Sequence, residues 1–506
     1  MVCSVDARGV RVSRAIHGSR TALYTANGGI HNPLHSPRSR VPGYYKRESM
    51  DQVQAPSSVR TRLSVMMFLQ YAIWGAWLPI LYPFLLGHRK FSLDEVGAIL
   101  AGGAAGAIVG PFIAGQVADR YFATEKFLGI SHLVGAVLVW FLAGSDSFWP
   151  FMMISVVYGI VYAPTLALTN SISFHHLPDR DADFGKVRVW GTVGWIVAGI
   201  AVGQWLAMKH TPDGDDAALI AAAQNAGRAD AFTLSAILGV VMGVYCFTLP
   251  HTPPAKSPKS GNAVMEAIRE VRRAPLVTLF MLAVPVSIIH QFYFVHASGF
   301  LTEIQNRAGG SALADGINKV FGVGGGGLMT IGQMTEIAVI ACIPLVAKKI
   351  DRKTFLAIGL VAYGLRMAIF AYLEQIHAST GIPEVVLAIS GVFFHGFCFG
   401  CFIFVAFMIV DEETTPDVRA STQNLFNLVI VGVGIIVGSW FATSFVGSWA
   451  TEVVGVNDAG EQITQMNYKK LFSVPLWISV FYLVNLIVFY PTRKRSAAEI
   501  EAAAGA

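Results

Sequence analysis

Apolar residues in this chain come in long blocks, not in the alternating stripes of a soluble core. From Arg62 onward twelve such blocks follow one another, each close to the roughly 20 residues an α-helix needs to cross hydrocarbon. The pattern predicts helices over Leu63–Leu86, Val96–Val117, Phe127–Gly144, Phe148–Phe174, Val189–Ala207, Ala231–Pro250, Leu276–Thr302, Gly326–Ala347, Phe355–Tyr372, Pro383–Val410, Thr422–Val446 and Leu471–Tyr490. Pro79, Pro83, Pro111, Pro164 and Pro285 fall inside them as expected kink sites.

The polar stretches between the blocks give orientation. One alternate set of loops, including 119–126, 251–275, 348–353 and 493–495, carries roughly twice the Lys and Arg of the other. Both termini are therefore expected on the cytoplasmic side, and the 208–230 loop, with Asp213, Asp215 and Asp216, on the outer side. The chain also repeats a motif. Asp119-Arg120 follows the second block, and Asp351-Arg352 follows the eighth, in the corresponding turn. Six spans (62–250), a basic linker (251–275) and six more spans (276–491) describe two parallel repeats, the plan of a major facilitator transporter. Asp119, Arg120, Asp351 and Arg352 are expected to act in structure and gating. The linker ends in AVMEAIREVRRAP, whose spacing predicts an amphipathic surface helix. Residues 1–58 read as a disordered basic tail or as sequence ahead of a start at Met50, in preference to an organelle transit peptide. Residues 492–506 read as a short cytoplasmic tail.

Composition agrees. Of 506 residues 54% are hydrophobic and 14% charged, against about 25% charged in soluble domains. The net charge of +5 is concentrated in tails and loops and gives no nucleic-acid signal. Four of the five cysteines lie inside apolar blocks, and Cys398-Phe-Gly-Cys401 stands alone, so it reads as packing, not as a metal or redox pair. No nucleotide loop, catalytic triad or metal-spaced ligand set is present, so neither an enzyme nor a cofactor is expected.

Candidate chemistry is confined to a few positions. Glu336 lies at the middle of the eighth span, with Gln333 one turn before it on the same face. A charge at that depth costs at least about 3 kcal/mol, so it marks a functional site by default. Arg366 in the ninth span is its expected ion-pair partner. Arg188, Thr192 and Trp195 share one face of the fifth span: a guanidinium, a hydroxyl and an aromatic ring. The seventh span carries Gln291 and Phe294 beside His290, Tyr293 and His296, and the tenth carries His395 and Phe399 one turn apart. Such faces stack on and hydrogen-bond a flat heterocycle. Glu336 and His395 are the candidate proton carriers, the histidine because its ordinary range lies near physiological pH.

Several stretches resemble the nucleoside:proton symporters of the major facilitator superfamily: FLQYAIWGAWL (68–78), YAPTLALTNSISF (162–174), VRVWGTVG (187–194), GQMTE (332–336), LRMAIFAY (365–372) and PDVRASTQ (416–423). The resemblance implies twelve helices in two halves, a bacterial inner-membrane location, and nucleoside and proton as partners in the lipid bilayer, with the chain monomeric. It places the family's binding groups on Arg188, Thr192, Trp195, Gln291, Gln333, Glu336 and Phe399. It also marks departures. Phe294 stands where relatives carry Asn, His395 where they carry Tyr, and Gly400 where they carry an Asp linked with proton coupling. The expected activity is concentrative nucleoside import by alternating access. A transporter of a nucleobase, modified nucleoside or sugar is the alternative, and a non-transporting sensor ranks lower.

Overall fold

The computed structural model describes residues 57–113, 122–177, 180–214, 216–253, 268–347, 349–415, 419–456, 460 and 462–491. Asp119, Arg120, the tail 1–56, residues 254–267 of the linker and the tail 492–506 lie outside the described residues. Twelve helices among the described residues are long and apolar enough to cross a membrane. They are α1 (Ser57–Gly87), α2 (Leu93–Gly110), α3 (Thr124–Gly144), α4 (Phe148–His176), α5 (Asp183–Lys209), α6 (Ala217–Cys246), α7 (Leu276–Arg307), α8 (Gly326–Val346), α9 (Arg352–Ala371), α10 (Glu384–Glu412), α11 (Ser421–Ala450) and α12 (Tyr468–Phe489). The chain is an all-α polytopic membrane protein of two six-helix halves, apart from one short hairpin.

One apolar core is built largely from α1 to α6, with Phe84, Phe151 and Phe232 at its centre. The other comes from α7 to α12, with Phe300, Phe370 and Phe472 packed on one another. Large apolar side chains on the outer faces, such as Trp149, Met281 and Leu345, are exposed, as hydrocarbon-facing positions of a membrane bundle are.

The halves meet along α1 with α7, α5 with α8, and α2 with α11. On the side opposite the linker, hereafter the distal side, the junction is hydrogen-bonded. The Val323 amide donates to the Gly203 carbonyl (3.0 Å), and Gln204 Nε2 donates to the Lys319 carbonyl (2.9 Å). Arg228, fully buried, donates from Nη2 to Thr302 Oγ1 (3.1 Å) and to the Gly324 carbonyl (3.4 Å). The Gly-rich turn that leads into α8 makes this possible. Gly322, Gly324 and Gly325 have φ of 73°, 83° and 77°, a region that side chains avoid. A Cβ on Gly322 would collide with the backbone of Gly203 and Gln204.

Three features depart from the sequence expectation. Part of the 208–230 loop is helical, Ala217–Gly227, and extends α6. Asp216 caps it by accepting from the amides of Ala218 (3.0 Å) and Leu219 (3.1 Å). Between α11 and α12 stands an antiparallel hairpin, β1 (Thr451–Val456) and β2 (Gln462–Met466). Finally, α10 and α11 contain π-helical turns at Cys398–Phe404, Leu428–Val433 and Phe441–Gly447.

Candidate functional site

Glu336 is the eleventh of the 21 residues of the α8 helix Gly326–Val346, and it is buried. Helix α10 passes close by. A Cβ on Gly396 would meet the backbone of Thr335 and come within 2.7 Å of the Glu336 amide, and one on Gly332 would meet His395 Cβ at 2.9 Å. The two glycines bring the backbones together, and this sets Glu336, Gln333 and His395 side by side. His395 Nε2 lies 3.7 Å from Glu336 Oε2 and 3.5 Å from Gln333 Nε2.

The expected pairing of Glu336 with Arg366 is not found. Arg366 is fully buried and donates from Nη1 to His395 Nδ1 (3.0 Å). Its guanidinium lies 4.3 Å from the Tyr293 ring centre and 5.1 Å from that of Tyr363, distances at which an aromatic face attracts a cation. The reason is geometric. Matching depth on consecutive helices says nothing about azimuth, and α9 turns Arg366 toward α10 and α7, leaving His395 between it and the carboxylate.

The hydrogen bond from Arg366 fixes the imidazole. A guanidinium only donates, so Nδ1 accepts and Nε2 carries the hydrogen. Gln333 Nε2 then faces a second donor. Rotating that amide by 180° turns its Oε1, which has no partner among the described residues, onto the imidazole N–H. The His395 ring is also clamped. Tyr293 stacks on one side at 4.7 Å between ring centres and His290 at 5.4 Å. His290 is itself anchored by Tyr363, whose hydroxyl lies 2.7 Å from Nδ1. Phe294 approaches His395 edge-on at 5.9 Å, and Phe399 lies at 6.5 Å on the following turn. The π-helical turn begins at Cys398. It widens the helix there and sets the direction in which Phe399 points.

Across the junction, Arg188 is buried and lies 4.1 Å from the ring centre of Tyr71 on α1. Its Nε and Nη1 have no partner among the described residues. Thr192 and Trp195 are half-buried on the same helix. Tyr293 Oη and Arg366 Nε and Nη2 are also buried without a partner among the described residues. Buried polar atoms are nearly always satisfied, so this concentration of free donors and acceptors suits a polar ligand. The arrangement offers a cation from one half, a carboxylate, an amide and an imidazole N–H from the other, and aromatic rings from both.

A sequence profile described as nucleoside H+ symporter matches residues 57–495. The chain belongs to the nucleoside H+ symporter family. It is 31% identical over 383 residues to the putative nucleoside transporter YegT of Escherichia coli (strain K12), covering 74% of this chain and 82% of that protein. It is 28% identical to the xanthosine permease of the same organism, covering 78% and 91%, and 24% identical to its nucleoside permease NupG, covering 75% and 86%. The crystal structure of nucleoside transporter NupG superposes with a TM-score of 0.67 at 22% identity, over 85% of this chain and 99% of that one. The D-xylose-proton symporter does so at 0.58 and 15%. These likenesses carry the major facilitator fold. Family membership and the twelve apolar helices make the chain a multi-pass membrane transporter of the symporter class.

In this nucleoside H+ symporter family member, Gln333, Glu336, Phe294, His395 and Phe399 come together, with Arg188, Thr192 and Trp195 on the facing half. Gln291 is tied instead to α11, where its Nε2 donates to Ser439 Oγ (3.0 Å). Asp351 and Arg352 stand away from the site. Asp351 caps α9 by accepting from the Thr354 amide (2.9 Å), and Arg352 pairs with Glu412 at the end of α10. Tyr71 and Tyr363 were not foreseen. Each holds a cation by its ring face, and in sequence they look like any aromatic in an apolar span.

Proposed function

We propose that this protein carries nucleosides together with protons, by exposing the site between α5, α7, α8 and α10 to each side of the membrane in turn. The observation that carries the reading is Glu336, a buried carboxylate at mid-span beside Gln333 and His395, on a helix that packs against the α5 helix of the opposite half, where Arg188 is buried. A ligand bridging the two would hold the halves together, which is the requirement of alternating access. Glu336 and Gln333 bind hydroxyl or amide groups of the nucleoside, Arg188 and Thr192 bind acceptors on it, and Trp195 and Phe399 stack on the base. Gln291 and Phe294 shape the α7 wall.

Glu336 is the proton carrier in this reading. The resemblance implies an Asp where Gly400 stands, and Glu336 is preferred to His395 because Arg366 donates to the imidazole Nδ1. The Lys and Arg bias of the loops supports both termini facing the cytoplasm of a bacterial inner membrane. The test is uptake of labelled uridine into proteoliposomes with an inward proton gradient, against competing nucleosides, bases and sugars. Concentrative uptake competed by nucleosides supports the proposal. Absence of uptake, or competition only by bases or sugars, refutes it.

A further inference from the structure

His395 is the one imidazole of the site within reach of the carboxylate, and it invites a role in the proton path. Its surroundings argue otherwise. Arg366 Nη1 meets Nδ1 at 3.0 Å, and Arg366 is wholly buried with Tyr293 and Tyr363 on its flanks. A proton added at Nδ1 would confront a guanidinium donor and add a second positive charge beside a fixed one. Among the described residues the titratable or charged groups in contact with His395 are His290 and Tyr293 from α7, Glu336 from α8 and Arg366 from α9, with Tyr363 behind His290 and Arg366. Of these, Glu336 alone offers a negative charge, and it faces Nε2, the nitrogen that already carries hydrogen.

We propose that Arg366 is a positioning residue for transport, one that holds His395 as a permanently neutral donor toward Glu336 and the nucleoside. The proposal rests on the symporter reading above. Arg366 thereby reserves proton exchange for the carboxylate. Without that arginine, His395 is free to become an imidazolium paired with Glu336, and the pair would neutralise the carrier.

The test is a double-mutant cycle on the full chain in proteoliposomes. Uptake and its pH profile are measured for Arg366→Gln in the wild-type background and in the His395→Gln background, where nothing at that position titrates. The expected result is that Arg366→Gln slows uptake at least about tenfold more in the histidine background than in the glutamine background. It should also add a second inflection to the pH profile only where His395 is present. An arginine that merely packs the core gives equal losses in both backgrounds and an unchanged profile, and that outcome overturns the proposal. Should Arg366→Gln fail to fold, ¹⁵N-histidine spectra of the otherwise native protein decide the matter, with His395 assigned by difference from His395→Gln. A signal protonated at Nε2 alone throughout the working pH range supports the proposal. A doubly protonated or Nδ1-protonated ring overturns it. Wild-type protein that takes up no nucleoside at all refutes the symporter reading instead, and the spectra still report on His395.

Discussion

Replacing Glu336 by glutamine separates a transport role from a structural one. The side chain keeps its size, so the close approach of Gly396 to the α8 backbone is undisturbed, and only the charge is lost. No hydrogen bond to the carboxylate is found among the described residues, and its ion-pair contact, to His395 Nε2, is long at 3.7 Å. Little native structure therefore depends on the charge. Breaking a tight buried ion pair would lower stability by about 3–5 kcal/mol. Here the unfolding temperature of Glu336→Gln is expected to equal or exceed that of the native chain, because a charge at bilayer depth has been removed. Binding responds differently. A hydrogen bond to a charged group contributes about 1.5–3 kcal/mol, so the dissociation constant for nucleoside should rise roughly ten- to a hundredfold. Proton-driven accumulation should vanish, while counterflow exchange persists at high nucleoside concentration. Accumulation at the native level would refute the reasoning, as would loss of stability with transport intact.

Three further outcomes follow from other parts of the structure. Arg228→Ala removes donors to Thr302 and Gly324 across the halves, each such bond being worth about 1 kcal/mol, and should lengthen distances between spin labels on the distal ends of α5 and α8; unchanged distances count against a latch there. Gly396→Val drives a side chain into the backbone of Thr335 and toward the Glu336 amide at 2.7 Å and should cost about 1–3 kcal/mol together with nucleoside-induced thermal stabilisation, whereas Gly185→Ala, with nothing within 4 Å of the added Cβ, should be tolerated. Asp351→Ala deletes the cap of α9 and should cost about 1 kcal/mol. Hydrogen bonds from the Thr354 amide and hydroxyl hold the Asp351 carboxyl below its ordinary range. A depressed acid stabilises above its unfolded value of about 3.9 and loses that contribution as pH falls through the folded value. The thermal gap between native and Asp351→Ala proteins should thus be constant near neutrality and close at acid pH.

The membrane architecture was legible because hydrophobic length is a nearly direct readout of a helix that crosses hydrocarbon. Glu336 and Gln333 were legible for the complementary reason that polar side chains are costly there. The contacts of Arg366 were not, since sequence gives depth but not the direction in which a helix faces. The π-helical turns of α10 and α11 have no sequence signature, being local backbone choices that packing decides. The extension of α6 was readable in principle: Asp216 is a good cap and AALIAAAQNAG is rich in alanine. The neighbouring Asp213 and Asp215 drew attention to polarity instead. The hairpin likewise shows β-branched residues flanking Asn457-Asp458-Ala459-Gly460, a turn composition that is easily passed over between two long apolar spans.

The placement of the charges bears on how a proton could be tied to a movement of the halves. Arg366 and His395 belong to the same half as Glu336, so under the proposed alternating access their distances to the carboxylate would stay fixed as the halves rock. Arg188 belongs to the other half, buried on α5, which packs against the α8 helix that carries Glu336. Coulomb interactions at low dielectric change steeply with separation. Any rocking that opens a path between α5 and α8 therefore alters the field at Glu336 while leaving its local shell intact. The affinity of the carboxylate for a proton then depends on the conformation, and by linkage the conformational equilibrium depends on the proton. In the proposed reading a nucleoside bridging Arg188 and Glu336 would enter the same balance, because it would screen one charge from the other only when both halves close upon it. Coupling of this kind needs no second carboxylate, which is consistent with glycine standing at position 400.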